Sequence, residues 1–299
     1  MRVTNSMVVN NLLSSLGKNA TRLAKYQNQV STGKRIEKLS DDPVGASYSI
    51  RYNTDIEKEN QYLSNIESSK EILTATETAL TSTNEVLARM RELTVQAAGA
   101  APSDSTRQSI KVELEQLRDE IISLGNTTYN GRYIFSGYKT NKELLTDEGT
   151  YAITVEDTEQ INYQISENNI MQVNTLGTTI FGLGEADAKP KMLADIDKLI
   201  TMVDSGSAEE INACLTDLDD AQDKVLAGMT EIGGKMNRLE LSKSRVVNNV
   251  TYLEEAKSLN DDVDTAEAVT NLYMEKATYS AALQIGATVI QQSLLDFLR

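Results

Sequence analysis

Apolar residues recur every three or four positions through most of this chain. Between residues 8 and 31, Leu13, Leu16, Ala20, Leu23 and Val30 alternate such spacings, with a gap at Gln27, while Lys18, Arg22 and Lys25 fall off the stripe. That period predicts an amphipathic helix whose apolar face wants a partner helix. Ser31-Thr32-Gly33 stops it with the glycine favoured just past a helix C-terminus. A new start follows at Ser40-Asp41-Asp42-Pro43. Asp42 is a good N-cap, and Pro43 suits the first helical position, where its missing N–H costs nothing. Paired aspartates can also signal metal or acid–base chemistry, but the proline directly behind them favours capping.

The helix predicted from Pro43 to about Gly99 would be roughly 80 Å long. Ile66, Leu73, Leu80 and Leu87 recur every seven residues in it, a coiled-coil-like seam. Pro102-Ser103-Asp104 breaks it and caps a second helix, with Ile110, Leu114, Leu117, Ile121 and Leu124 on one face and an end at Gly125. The short connection predicts an antiparallel hairpin. From Gly125 to about Pro190 the texture changes. Tyr151–Val155 and Ile161–Ile165 alternate like two paired strands, and Ile170–Val173 is a further candidate. Gly182-Leu183-Gly184 lacks the third glycine and the βαβ setting of a dinucleotide loop and reads as a turn. Asn130-Gly131-Arg132 reads as a turn rather than an adhesion signal.

A short helix near 191–204 precedes the longest seam, where Ile211, Leu218, Val225, Ile232, Leu239, Val246 and Leu253 recur every seven residues beside Leu215, Met229, Met236 and Val250. Gly233-Gly234 interrupts good helix formers at about 1 kcal/mol each and predicts a weak point or bend. The final helix, from about Asp264 to Phe297, places Val269, Leu283, Ile290 and Phe297 at one heptad position and Ala266, Tyr273, Ala287 and Leu294 at its companion. Small residues here (Ala266, Ser280, Gly286, Ala287) allow close helix approach. The apolar tip Leu294, Leu295, Phe297 and Leu298 would be a liability for a free monomer, which predicts a partner.

Composition sharpens this picture. Aromatics are 5% of the 299 residues, Trp is absent and there are three prolines, so long helices with aliphatic seams are favoured. The absence of His excludes His-ligated metals, His general bases and Ser-His-Asp triads, and with them the Glu-x-x-His sites of helical-bundle metal enzymes. Cys214 is the single cysteine and is expected to be a small buried apolar residue. A net charge of −15 argues against nucleic acid as a partner. Within it, residues 1–40 carry seven cations against Glu37 alone, whereas residues 258–299 carry six anions against Lys276 and Arg299. Opposite charge favours pairing of the two ends over a membrane-surface role for the first helix. No apolar run is long enough for membrane insertion. The start, Met1 to Ser6, lacks the apolar core of a Sec signal, so any exit from the cytoplasm needs another route. The chain reads helix–helix–β–helix–helix, a structural assembly subunit and not an enzyme, with no cofactor implied.

Three stretches resemble the flagellin superfamily, and more closely its hook–filament junction branch. They are Met1–Met7 with Gln29–Ile36 and Ser40–Pro43; Tyr129-Asn130-Gly131-Arg132-Tyr133-Ile134-Phe135-Ser136-Gly137; and Ala282-Leu283-Gln284 through Ser293-Leu294-Leu295-Asp296-Phe297-Leu298. The resemblance implies a mainly α fold: long antiparallel helices in coiled-coil-like bundles, flagellin-like, with a small β-rich insertion. It implies an inner coiled-coil domain from residues 1–40 and 258–299, a helical-bundle middle domain from 41–137 and 190–257, and a small outer domain from 138–189. It implies type III export without a cleaved signal, and a structural role in the extracellular flagellum of motile bacteria. The implied partners are further copies in a ring of about eleven, a neighbouring hook-associated protein, flagellin and an export chaperone. Leu16, Leu23, Val30, Leu283, Ile290, Leu294 and Phe297 are the expected assembly-interface residues. Two other readings stand beside it: flagellin itself, separated by copy number, and a soluble coiled-coil signalling protein, separated by cytoplasmic location.

Overall fold

The computed structural model describes the backbone of residues 5–99, 104–182, 185–205 and 207–297, and the side chains of the same stretches apart from residues 5–6, 205 and 289–297. Among the described residues, seven helices and two small antiparallel hairpins follow one another: α1 (Asn5–Thr32), α2 (Pro43–Ala98), α3 (Asp104–Gly125), β1 (Thr128–Tyr129), β2 (Arg132–Tyr133), β3 (Asn162–Ser166), β4 (Asn169–Gln172), α4 (Gly177–Phe181), α5 (Lys191–Ser205), α6 (Ala208–Asp261) and α7 (Thr265–Phe297). The mainly α class with long helices and a small β-rich insertion is as the pattern predicts. Residues 1–58 and 248–299 form one unit, and residues 59–247 another. Both α2 and α6 contribute residues to each unit.

The central unit, residues 59–247, is a ring of four antiparallel helical segments. Ion pairs mark every side of it. Arg89 of α2 meets Glu113 of α3, Lys111 and Arg118 of α3 meet Asp204 and Asp197 of α5, and Lys198 of α5 meets Asp217 of α6. Lys70 and Arg91 of α2 then meet Glu240 and Asp219 of α6, which closes the ring. Exposed pairs of this kind contribute about 0–1 kcal/mol each, so they report helix register more than they set stability. Stability comes from the interior. The α2 seam Ile66, Leu73, Leu80 and Leu87 and the α6 seam Ile211, Leu218, Val225, Ile232 and Leu239 are at most 3% exposed.

The companion seam of α6 departs from the sequence reading, and that of α2 begins with hydroxyls before Met90 and Ala97: Ser69, Thr76 and Thr83 are buried and each donates to the carbonyl four residues earlier, at 2.6–2.8 Å. That local bond satisfies a buried O–H without a partner helix. In α6 the fully buried companions are Cys214, Ala221, Gly228 and Ser242, while Leu215, Met229 and Met236 are half-buried one position further on. Gly228 is small for a reason, since a Cβ there would come within 2.6 Å of Ile180 on α4. Burial also pushes the Cys214 thiol up, in keeping with a structural cysteine. Gly233 and Gly234 lie inside unbroken helix.

The β-rich segment corrects one expectation. Ile161–Ile165 does not pair with Tyr151–Val155; β3 pairs with β4 across a tight turn, Asn162 opposite Gln172 and Tyr163 opposite Met171, with an irregularity between Gln164 and Ser166. Tyr151, Ile153 and Val155 do bury alternate side chains, so the period of two is real. Their backbone bonds go elsewhere: the Tyr151 N–H donates to the Ala188 carbonyl and the Ala152 N–H to the Leu144 carbonyl. The nearest complementary strand in sequence takes β3 first because it closes the shortest loop. The Tyr151 hydroxyl donates to the Gly182 carbonyl, and burial pushes its phenol up. Leu183 and Gly184, the rest of the expected turn, lie outside the described residues. Asn130 and Gly131 form the β1–β2 turn with φ of 52° and 74°, the paired positive values of a type I′ hairpin.

Candidate assembly interface

The terminal unit is built from α1, the start of α2, the end of α6 and α7. Its two connections are tied together. Gly33, at φ 70°, ends α1 by donating its N–H to Gln29. The Arg35 N–H then donates to the Asp261 carbonyl at 2.6 Å, and the Val263 N–H returns to the Gly33 carbonyl at 3.0 Å. Lys34 pairs with Asp262, and the Arg35 guanidinium donates to the Asn260 carbonyl. The Asp42 carboxylate accepts from the N–H groups of Val44 and Gly45 at 3.2 and 3.0 Å, the N-cap that its position before Pro43 predicts. The Gly45 N–H is the largest influence holding the Asp42 carboxyl below its ordinary value, with Arg35 adding to it. Lys34 does the same for Asp262, with help from Ser258. Asp41 accepts from the Lys38 N–H. These aspartates therefore cap and brace the turn. Among the described residues no group of three or more acidic or cysteine side chains could hold a metal, and no helix is long and apolar enough to cross a membrane.

Beyond this tie, α1 and α7 pack antiparallel, with Arg22 paired to Glu275 at 2.9 Å across them. Val9, Leu12, Leu16, Asn19, Leu23, Tyr26 and Val30 of α1 are covered in an unbroken alternation of three and four, and Gln29 is buried beside Val30. Those of α7 include Ala268, Leu272, Glu275, Tyr279, Ala282 and Gly286, spaced four and three, with Val269 and Asn271 half-buried beside them. Gly286 sits against Leu12 and Leu16; a Cβ there would come 3.2 Å from the Leu12 Cδ2. The seam includes a polar layer. Arg22 donates both to Glu275 and to Asn19, and Glu275 Oε2 is buried with no hydrogen-bond partner among the described residues.

Leu16, Leu23 and Val30 thus lie on the covered face of α1, where Leu13 and Ala20 of the expected stripe do not: both are exposed, and Tyr26 fills the position that Gln27 left as a gap. Leu283 lies off the covered face of α7 and is 47% exposed, and Tyr273 is 68% exposed. The side chains of Ile290, Leu294 and Phe297 lie outside the described residues. Gly286, expected from its small size to allow close helix approach, does sit in the contact. Sequence reasoning missed Leu12, Leu272 and Tyr279; the signal for the last two was present as a further apolar stripe on α7, richer in small residues than the one first chosen. A helix with two such stripes needs more than one neighbour, and the stripe containing Leu283 is the one left uncovered here.

Residues 3–140 match the bacterial flagellin N-terminal helical region, and residues 215–298 match the bacterial flagellin C-terminal helical region. Together they span nearly three quarters of the chain. The unmatched stretch between them holds β3, β4, α4 and α5. Flagellar hook-associated protein 3 of Escherichia coli (strain K12) is 28% identical over 94% of this chain and 95% of its own length. Flagellin of Bacillus subtilis (strain 168) is 28% identical over the whole of both. The solved structure of a flagellar hook-associated protein from Vibrio parahaemolyticus has a TM-score of 0.67 at 29% identity, covering 74% of this chain and 99% of that one. With flagellin terminal regions at residues 3–140 and 215–298 and a hook-associated relative matched over 94% of the sequence, the chain belongs to the flagellin family of bacterial flagellar structural proteins and stands within it among the hook-associated proteins of the hook–filament junction.

Proposed function

We infer that this protein forms the junction between hook and filament and offers the surface on which flagellin assembles. The observation that carries the reading is the fold likeness to a hook-associated protein over nearly all of that protein's length, at an identity high enough to speak for more than fold. The subunit is exported through the flagellar type III apparatus with the help of a chaperone and assembles outside the cell in a ring of about eleven copies, between a neighbouring hook-associated protein and flagellin. It performs no catalysis. Residues 1–40 and 258–299 form the inner coiled-coil domain, 41–137 and 190–257 the middle domain, and 138–189 the outer one. Leu16, Leu23 and Val30 hold the terminal helices together, and Leu283, with Ile290, Leu294 and Phe297, contacts neighbouring subunits.

The uncovered stripe of α7 that holds Leu283 supports this last assignment. Replacing Leu294 and Phe297 with Asp is expected to spare the middle domain and block incorporation; normal incorporation of that double variant contradicts it. Deleting the gene tests the whole reading. Hooks without filaments, with unassembled flagellin shed into the medium, is the expected result. Loss of the major secreted subunit itself would instead make this chain the filament flagellin, a reading that the full-length Bacillus subtilis match keeps in play.

A further inference from the structure

Between α2 and the two hairpins lies a cleft of about 380 Å³. It sits at the lower end of the roughly 300–1,000 Å³ typical of small-ligand sites. Tyr129, Tyr133 and Tyr163 line it together with Arg132, Ser68 and Thr140. The three rings stack on no other described aromatic ring. The Tyr133 and Tyr163 hydroxyls, the Ser68 and Thr140 hydroxyls and the Arg132 guanidinium make no side-chain hydrogen bond among the described residues.

The walls are fixed before any ligand arrives. The Tyr129 hydroxyl donates to Glu71 Oε2 at 2.7 Å, pinning the first hairpin to α2. The Asn65 amide donates to the Gln164 carbonyl at 2.8 Å, pinning β3 to the same helix. The Tyr133 N–H donates to the Thr140 carbonyl, and the type I′ turn at Asn130-Gly131 holds Arg132 at the rim.

We propose that this cleft binds a saccharide, with tyrosine faces against the C–H side of one pyranose ring and the free hydroxyls and Arg132 bonding its hydroxyl or carboxylate oxygens. The chemistry selects this class. A tyrosine offers an apolar face and a polar edge on one side chain, as a pyranose does. One unpaired cation is too few for a phosphorylated ligand, which wants several charge-assisted donors. The ring of unpaired hydroxyls is too polar for a hydrocarbon ligand, since each would be desolvated without a partner. The inference goes beyond the junction role and is independent of it, because it concerns the purified chain alone.

The test titrates the full chain with N-acetylglucosamine, galactose and glucuronate, read by saturation-transfer NMR and by tyrosine emission, which is unmasked because the chain has 12 Tyr and no Trp. Saturable binding of at least one sugar is expected. It should weaken by about tenfold or more in Tyr133→Ala, and Tyr133→Phe should recover most of the loss. Arg132→Ala changes an exposed side chain at the start of β2 and should leave the fold intact; it should weaken glucuronate more than the neutral sugars. Tyr252→Ala, on the exposed surface of α6 in the other unit, should change nothing. No saturable binding of any of the three, or binding that survives both Tyr133→Ala and Arg132→Ala, overturns the proposal.

Discussion

The terminal and central units use the same helical material and bury it very differently. In the central unit every residue of two long heptad seams is nearly inaccessible, because α3 and α5 cover one stretch of α2 and α6 and the β3–β4 hairpin meets them beyond it. In the terminal unit the α1–α7 seam is only half-covered. Among the alternating positions that define it, Ala268 and Gly286 alone are fully buried, and Asn19, Arg22 and Glu275 place a polar layer within it. Two helices can cover each other on one side only. The same period therefore yields a self-sufficient core in one place and an unfinished interface in the other. The lesson is that a heptad repeat says a helix wants neighbours without saying whether its own chain supplies enough of them.

The contrast is easiest to break in the centre. Leu80→Ala removes a fully buried side chain from the α2 seam and should cost about 2–5 kcal/mol, measured by denaturant unfolding. A loss under about 1 kcal/mol would mean that the ring is loosely packed there. In the terminal unit, Gly286→Leu overfills the approach of α7 to Leu12 and should cost about 1–3 kcal/mol locally, seen as faster amide exchange in α1 with the central unit unchanged. Gly233→Ala and Gly234→Ala should each stabilise α6 by about 1 kcal/mol. Both glycines are helical, and an added Cβ would meet nothing within 4 Å at either, so the thermal midpoint should rise.

Acid should act on the terminal tie. The Asp42 and Asp262 carboxyls are held below their ordinary value of 3.8 in the folded chain. Depressed carboxyls contribute stability that is fully present above that value and lost as pH falls through the lower, folded one. The tie should thus hold at neutral and mildly acidic pH and fray below about 3.8, followed by exchange at Arg35 and Val263. Asp42→Asn should flatten part of that dependence, because amide and carboxylate both cap the helix but only the carboxylate titrates. The smallest effect on the free chain belongs to Leu283→Asp, within about 0.5 kcal/mol since the side chain is exposed. Its effect on incorporation into the flagellum should nonetheless be large.

Helix positions were legible because they follow from local chemistry. Asp42-Pro43 starts α2, Gly33 ends α1, and Asp264 caps α7 by accepting from Ala266 and Glu267. The seven-residue seams of α2 and α6 were legible because nothing competed with them. The α7 seam was not, because that helix offers apolar residues on more than one side and the true seam uses Ala and Gly, which carry weak hydrophobic signal. The pairing of β3 was missed because alternation marks a strand without naming its partner. The tyrosine cleft was illegible for a simpler reason: Ser68, Arg132 and Tyr163 are brought together only by the fold.

Hydrogen exchange on the purified chain and on isolated hook–filament junctions tests the central claim most directly. The account predicts that in the free chain α1 and α7 exchange far faster than the α2 and α6 seams of the central unit, and that assembly protects α1 and α7 most. Terminal helices already as slow as the central unit in the free chain, with no gain on assembly, would contradict it.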